Sequence, residues 1–337
     1  MPQWGTARAR GRLCRHGIRR YSPVVNTSPS PHRRQWWLRL WVWVLFLLLG
    51  GIGWVGWRQY DFQRAVREAE AAGFSFQQSP GPVALIRADW HAAFRGDTWF
   101  ERKRTLTLPQ GCDLALHRPL LLRLRPTILS AKECRNASAI RGLTGLDVLA
   151  LIGSDVKDLA PLAGLKRLQV LDIEGCTGVA DLAPLARLAQ LRKLDLKGCT
   201  GVTDLAPLAG LAQLRVLTLH GCKGVADLAP LASLSQLQSL DLYDCKGVAD
   251  LAPLAGLAQL QTLNLNYCTG VADLAPLAGL AELDTLILDG CTGVADIAPL
   301  AGLAKLRWLD LDGCPGLSAE AVAAFRKSHP ETHISGP

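Results

Sequence analysis

Apolar residues recur with a fixed period through the second half of the chain. From residue 168 onward the pattern L-x-x-L-x-[LI]-x-x-C returns every 23 residues, and all copies but the last are followed by D-[LI]-A-P-L. The x-L-x-L alternation predicts a short strand whose leucines face one side. The D-L-A-P-L half predicts a short helical turn, with Asp as its cap and Pro among its first positions. The pattern therefore predicts an α/β stack of strand and turn units.

Two more copies precede this series. One begins at Leu146, has Ser154 in place of the cysteine and is 22 residues long, and a degraded copy begins at Leu124. We predict about nine units between residues 124 and 328, whose parallel strands form one sheet. A helical cap at 318–328, with Ser318 as its N-cap, closes the stack, and residues 329–337 are a tail.

Cysteines mark the period. Their constant spacing of 23 residues is not the paired spacing of zinc ligands, so we interpret it as structural. We predict small buried thiols just past each strand, free in preference to the alternative of disulfides between neighbouring units. This structural cysteine column comprises Cys176, Cys199, Cys222, Cys245, Cys268, Cys291 and Cys314.

The second half of each unit resembles a known family of repeats. Val179-x-Asp181-Leu182-x-Pro184-Leu185-x-x-Leu188 and its copies are similar to the I-x-D-I-x-P-L-x-x-L half of bacterial internalin-like leucine-rich repeats. The chain differs from that subfamily in having Cys or Ser where Asn is usual, and in its 23-residue units. The resemblance implies a leucine-rich-repeat solenoid with a parallel sheet on its concave face and short helical or 3-10 turns on its convex face.

A different apolar pattern lies near the N-terminus. Residues 40–57 are all apolar or glycine and are bounded by Arg39 and Arg58. As a helix they would rise about 27 Å, close to the ~30 Å of a bilayer core, and Trp residues flank both ends. We predict one transmembrane helix at 40–57, retained as a signal anchor.

The charge distribution gives this helix an orientation. Residues 1–58 contain ten Arg and no acidic residue, whereas the rest of the chain has 27 basic and 29 acidic residues, so the net charge of +8 is local. The positive-inside bias predicts a disordered cytoplasmic tail at 1–39 and extracytoplasmic repeats, periplasmic in a bacterium, on a single-pass protein of the inner membrane. Residues 58–123 are predicted to be a linker and N-terminal cap, with helices at 61–72 and 88–94 and a strand at 102–108.

Side chains between the strand leucines are predicted to project onto the concave face. These positions vary between units while D-L-A-P-L hardly does, and eight acids there face only Lys193 and Lys197. Such a face suits a protein partner with a basic surface and disfavours nucleic acid; a solvated surface without a ligand is the alternative. The candidate ligand-binding residues are Asp172, Glu174, Asp195, Thr218, His220, Asp241, Tyr243, Asn264, Asn266, Tyr267, Asp289, Trp308, Asp310 and Asp312.

Motifs of catalysis are not found in the sequence: it has no nucleophile elbow, phosphate-binding glycine loop or H-E-x-x-H. We expect no enzyme activity, cofactor or metal. The predicted function is a membrane-anchored scaffold or receptor-like module that binds a protein through its acidic concave face. Two alternatives stay open: a cytoplasm-facing regulatory or effector scaffold, and cell-wall or carbohydrate recognition, for which more exposed aromatic residues would be expected.

The predicted topology can be tested with reporters fused to the C-terminus. A reporter that is active only outside the cytoplasm should give signal, because the Arg-rich flank holds the N-terminus inside. A cytoplasmic reporter at the same site is the control. Signal from the cytoplasmic reporter alone would contradict the orientation.

Overall fold

The structure, a computed structural model, describes residues 59–78 and 104–336. The predicted Arg-rich tail lies outside these residues, and so do the predicted helices at 40–57 and 88–94. Among the residues described, no helix is long and apolar enough to cross a membrane.

One twelve-stranded sheet runs through the described part of the chain, and its strand order follows the sequence. The first two strands are antiparallel, and all later neighbours are parallel. The strands are β1 (Ser75–Gln78), β2 (Arg104–Thr107), β3 (Ile128–Lys132), β4 (Val148–Ile152), β5 (Val170–Asp172), β6 (Lys193–Asp195), β7 (Val216–Thr218), β8 (Ser239–Asp241), β9 (Thr262–Asn264), β10 (Thr285–Ile287), β11 (Trp308–Asp310) and β12 (His333–Ser335).

The predicted nine units correspond to β3 to β11. Equivalent leucines pair in register, as Leu194 does with Leu171 and Leu217, and all three are fully buried. The sheet extends beyond the units at both ends, with β1 and β2 before them and β12 after them. Part of the segment predicted as a tail at 329–337 forms β12, because the open edge of β11 offers backbone hydrogen-bonding groups with which His333–Ser335 pairs.

The D-L-A-P-L segments form 3-10 turns opposite the strands. In each, an Asp side chain accepts a hydrogen bond from the backbone N–H two residues on, as Asp181 Oδ1 does from Ala183 N at 2.8 Å. Leu182 takes the N-cap position, so the Asp acts one residue earlier than predicted. These turns are Ala160–Leu162, Ala183–Arg187, Ala206–Leu208, Ala229–Ser233, Ala252–Leu254, Ala275–Leu277 and Ala298–Gly302. The degraded first unit has a further 3-10 turn, Ala137–Ile140, with Asn136 at its N-cap and no side-chain cap.

All seven thiols of the cysteine column are buried, and none is joined to another in a disulfide. Each of its seven thiols donates to a backbone carbonyl of the preceding unit, as Cys222 Sγ does to Leu196 O at 3.2 Å. Burial raises the pKa of Cys199, Cys222, Cys268 and Cys291 to about 12. The thiolate is therefore rare at neutral pH, and these cysteines serve as packed hydrogen-bond donors.

Helices close the sheet at both ends. At the N-terminal end, residues 59–71 are helical (α1), in agreement with the helix predicted at 61–72. Sequence patterns did not predict α2 (Leu114–Leu124), which contains Pro119. Arg123 of α2 joins the two helices through Asp61 (2.8 Å) and Glu68 (2.6 Å). At the other end α3 (Ala319–Ser328) begins at Ser318, whose hydroxyl accepts from Ala321 N, as predicted.

Substitution of Cys222 should separate the contribution of its buried volume from that of its thiol hydrogen bond. Replacement by Ala removes both volume and the thiol donor, so we expect a loss of about 1–2 kcal/mol of stability. Replacement by Ser should cost less, because Ser154 already occupies this column and its hydroxyl bonds backbone groups there. Thermal unfolding of the full chain, followed by circular dichroism, measures both. A serine variant less stable than the alanine variant would show that hydrogen bonding does not matter.

Candidate functional site: the open face of the sheet

The face of the sheet opposite the buried leucines is called here the open face. Its first column of side chains lies in unbroken parallel register across eight strands, as the sequence pattern predicted. Most of its members are partly exposed. The column is Ala150, Asp172, Asp195, Thr218, Asp241, Asn264, Ile287 and Asp310.

A second column lies just past the strands. Backbone hydrogen bonds continue there between neighbouring units, as from Gly198 N to His220 O (2.8 Å) and from Gly221 N to Tyr243 O (2.7 Å). These bonds keep successive side chains side by side. The column comprises Ile152, Glu174, Lys197, His220, Tyr243, Asn266, Asp289 and Asp312.

Acids and amides of the first column have a structural task that the sequence did not reveal. Asp241 Oδ1 accepts a hydrogen bond from Tyr243 N at 3.0 Å, and Asn264 Oδ1 accepts one from Asn266 N at 3.0 Å. The same bond is made by Asp172, Asp195 and Asp310. These side chains hold the backbone as it leaves the strand, so only part of each carboxylate faces solvent.

At one position where the first column lacks such an acceptor, a neighbouring unit supplies it. Ile287 cannot accept a hydrogen bond, and Asn266 Oδ1 of the previous unit accepts from Asp289 N at 3.0 Å instead. Asn264 and Asn266, which looked most like ligand-binding amides in the sequence, therefore both support the backbone. Their recurrence is explained without a ligand.

Electrostatics differ along the open face. At its N-terminal side Lys197 Nζ lies 2.8 Å from Glu174 Oε1, and this pairing raises the pKa of Lys197. Burial, followed by the charge of Asp172, raises the pKa of Asp195. Lys197 and Glu174 thus balance each other's charge, whereas Asp172 and Asp195 repel each other.

An aromatic cluster lies in the middle of the open face. We define it as His220, Tyr243 and Tyr267. The first two rings stack with centroids 4.1 Å apart, and Tyr267 meets Tyr243 edge-on at 5.4 Å. His220 Nδ1 lies 3.8 Å from Asp241 Oδ2, and the negative charge of Asp289 raises the pKa of Tyr267. Aromatic rings thus stand among carboxylates here.

Within the seven units of the cysteine column, backbone conformation marks the same place. The residue before each cysteine of the column has positive φ, and at five of the seven units it is glycine. The exceptions are Asp244 (φ 56°) and Tyr267 (φ 58°), in consecutive units. A bulky residue in the left-handed region is strained, and such strain concentrates at functional sites. The replacement of Gly-Cys by Asp-Cys and Tyr-Cys was the sequence signal for this cluster.

The ring of Tyr267 also limits which residue the next unit can have at position 290. This ring lies across Gly290, where an added Cβ would be 2.5 Å from Tyr267 Cδ1. Tyr267 remains 42% exposed. The ring of Tyr267 therefore packs against Gly290 on one side and is exposed to solvent on the other.

Other predicted site residues lie away from this cluster. Trp308 is 45% exposed on β11, in the register position before the buried leucine, and contacts His333 with ring centroids 4.4 Å apart. Asp310 accepts a hydrogen bond from Ser335 Oγ at 2.7 Å, and Asp312 is exposed beside it. Across residues 59–78 and 104–336, no group of three or more His, Cys, Asp or Glu side chains could hold a metal ion.

The repeat geometry defines the class of fold: parallel strands, inward leucines and 3-10 turns make this chain a leucine-rich-repeat solenoid. Solved structures with a similar fold include the internalin InlF of Listeria monocytogenes (22% identity, 64% of this chain and 77% of that one, TM-score 0.45). Internalin C2 of the same organism has 31% identity over 56% of this chain and 81% of that one, with a TM-score of 0.46.

A leucine-rich-repeat protein of Leptospira interrogans is also similar, with 17% identity over 68% of this chain and 75% of that one and a TM-score of 0.38. No family model matches the chain, and no curated protein does.

Tyr267→Gly should leave the fold at least as stable as the wild type. Glycine adopts the left-handed conformation without strain, a gain of about 1–2 kcal/mol that offsets the lost contact with Tyr243. Thermal unfolding of the full chain measures the change. Gly290→Ala is the companion variant, and it should destabilise the wild type more than the Tyr267→Gly background. An equal loss of stability in both backgrounds would contradict a contact between Gly290 and the ring of Tyr267.

Proposed function

We propose that this protein is a membrane-anchored leucine-rich-repeat scaffold that binds a basic segment of a protein partner at the aromatic cluster. The observation that carries the proposal is the coincidence of two non-glycine residues with positive φ, Asp244 and Tyr267, with stacked aromatic rings on the open face. Repeat proteins bind partners on the extended face formed by their strands.

The chemistry of the cluster favours a cationic side chain. The ring of Tyr267 is exposed and can receive a Lys or Arg group by a cation–π contact. Asp241, Asp244 and Asp289 supply negative charge around it. The ion pairs that Asp244 makes with Lys223 (3.2 Å) and Lys246 (3.6 Å) involve well-exposed lysines, so exchange for a partner's cation costs little.

The membrane anchor in this proposal is the apolar run at 40–57. Its length and its Trp and Arg flanks support a single span, and the charge asymmetry supports extracytoplasmic repeats. The open face would then meet partners outside the cytoplasm.

Binding of a basic peptide to the full chain in zwitterionic lipid nanodiscs tests the proposal. The probe is a fluorescent peptide of alternating Lys, Arg and Gly, and its counterpart with Glu in place of the basic residues is the negative control. We expect saturable binding that weakens as salt is added. Tyr267→Gly and Asp241→Asn should each raise Kd about 2- to 5-fold. Asn at 241 keeps the acceptor for Tyr243 N and so removes charge alone.

Asp227→Asn is the matched control for the change of charge. It makes the same substitution at a 3-10 turn, where Asp227 Oδ1 accepts from Ala229 N at 2.8 Å. Equal weakening by Asp227→Asn and Asp241→Asn would show that binding follows net charge and would refute a site at the cluster. A peptidoglycan fragment that displaces the peptide, or binds in its place, would favour carbohydrate recognition.

A further inference from the structure

Two cysteines outside the seven-membered column have their sulfur atoms in contact. Cys112 Sγ and Cys134 Sγ are 2.6 Å apart. This is shorter than the roughly 3.5 Å at which even non-bonded carbon atoms settle. The two thiols are therefore brought to within a small movement of a bond.

Backbone pairing holds these two residues side by side. Asp113 and Arg135, the residues that follow them, form a parallel bridge. Arg135 N donates to Cys112 O at 2.9 Å, and Leu114 N donates to Arg135 O at 3.1 Å. Neighbouring parallel segments lie about 4.8 Å apart, which is within the Cα separation of about 4.4–6.8 Å that a disulfide spans.

The seven column thiols are arranged differently. Each donates to a carbonyl of the preceding unit, at 3.0–3.3 Å, rather than to another thiol. Cys134 takes the equivalent place one unit before Ser154, whose hydroxyl accepts from Cys134 N at 3.0 Å. Cys134 Sγ has only long contacts to carbonyls, those of Lys132 (3.5 Å) and Pro109 (3.9 Å), and its short contact is with the Cys112 thiol.

We propose that Cys112 and Cys134 form a redox-active pair that becomes a disulfide when the chain meets a small-molecule disulfide, and that this bond fastens the N-terminal cap to the first repeat. The closed segment contains all of α2 and β3. Through Arg123, α2 also holds α1. The bond would therefore fix the helices that cover the start of the solenoid.

Exposure determines the order of the steps. Cys112 is partly exposed and Cys134 is fully buried. The Cys112 thiolate attacks the disulfide RSSR, forms a mixed disulfide and releases one thiol. The Cys134 thiolate then attacks Cys112 Sγ and releases the second. In sum, two protein thiols lose two electrons and two protons, and RSSR is reduced to two RSH.

The rate should depend on pH. Burial, followed by the neighbouring Cys134 thiol, raises the pKa of Cys112 to about 12. Since the thiolate is the attacking species, oxidation is slow at neutral pH and becomes faster as pH rises towards that value.

Oxidised glutathione added to the full chain in detergent tests the pair. After quenching, the protein is alkylated, digested without reduction and analysed by mass spectrometry. We expect one cross-linked peptide pair containing Cys112 and Cys134, with the column cysteines alkylated. Cys134→Ser should accumulate glutathione on Cys112, whereas Cys222→Ser should form the same cross-link as the wild type.

The wild-type digest decides the proposal even if a variant fails to fold. Complete alkylation of both cysteines after oxidation would overturn it, as would Cys112 bound only to glutathione while Cys134 stays reduced. Hydrogen exchange provides a second readout: the cross-link should slow amide exchange in α2. Unchanged exchange would overturn the inference that the bond fastens the cap.

Discussion

The structure depends on burial between units, because no unit can bury its own leucines. Leu194, Leu196 and Cys199 of one unit are covered by their counterparts on either side, and all are fully buried. Each buried leucine contributes roughly 1.5–3 kcal/mol relative to an exposed one, so the stack is stable only as a whole. The ends are the weak points: α1, α2, β1 and β2 close the N-terminal end, and α3 and β12 close the C-terminal end.

Close stacking imposes a second constraint. The turn after each cysteine passes so near the preceding unit that a Cβ at Gly201 would lie 2.7 Å from Val179 O. This contact accounts for the glycine that accompanies every 23-residue copy. The thiols fit the same narrow space, because sulfur fills it and still donates to a carbonyl. The regular recurrence of the buried leucines, the cysteines and the turn glycines thus follows from packing between units.

Side chains on the open face are not constrained by this packing, but several of them must accept hydrogen bonds from backbone N–H groups. Its Asp and Asn residues accept N–H groups past the strand ends, so the acidity inferred from the sequence is partly structural. Asp244 and Tyr267 depart from both patterns, since they occupy positions that geometry gives to glycine. A departure that costs stability and exposes an aromatic ring is more informative about function than the acids around it.

The sequence by itself determined the repeat, its strand register, the buried cysteine column and the C-terminal helix, because buried positions that recur in the fold recur as a period in the sequence. Tertiary structure alone decided the rest. Helix α2 carries Pro119 and has little sequence signature, strand β12 depends on the open edge of β11, and the contact of Cys112 with Cys134 depends on how the cap folds back. The left-handed backbone at Tyr267 likewise appears only once the chain is folded, because φ is set by the turn that neighbouring units impose.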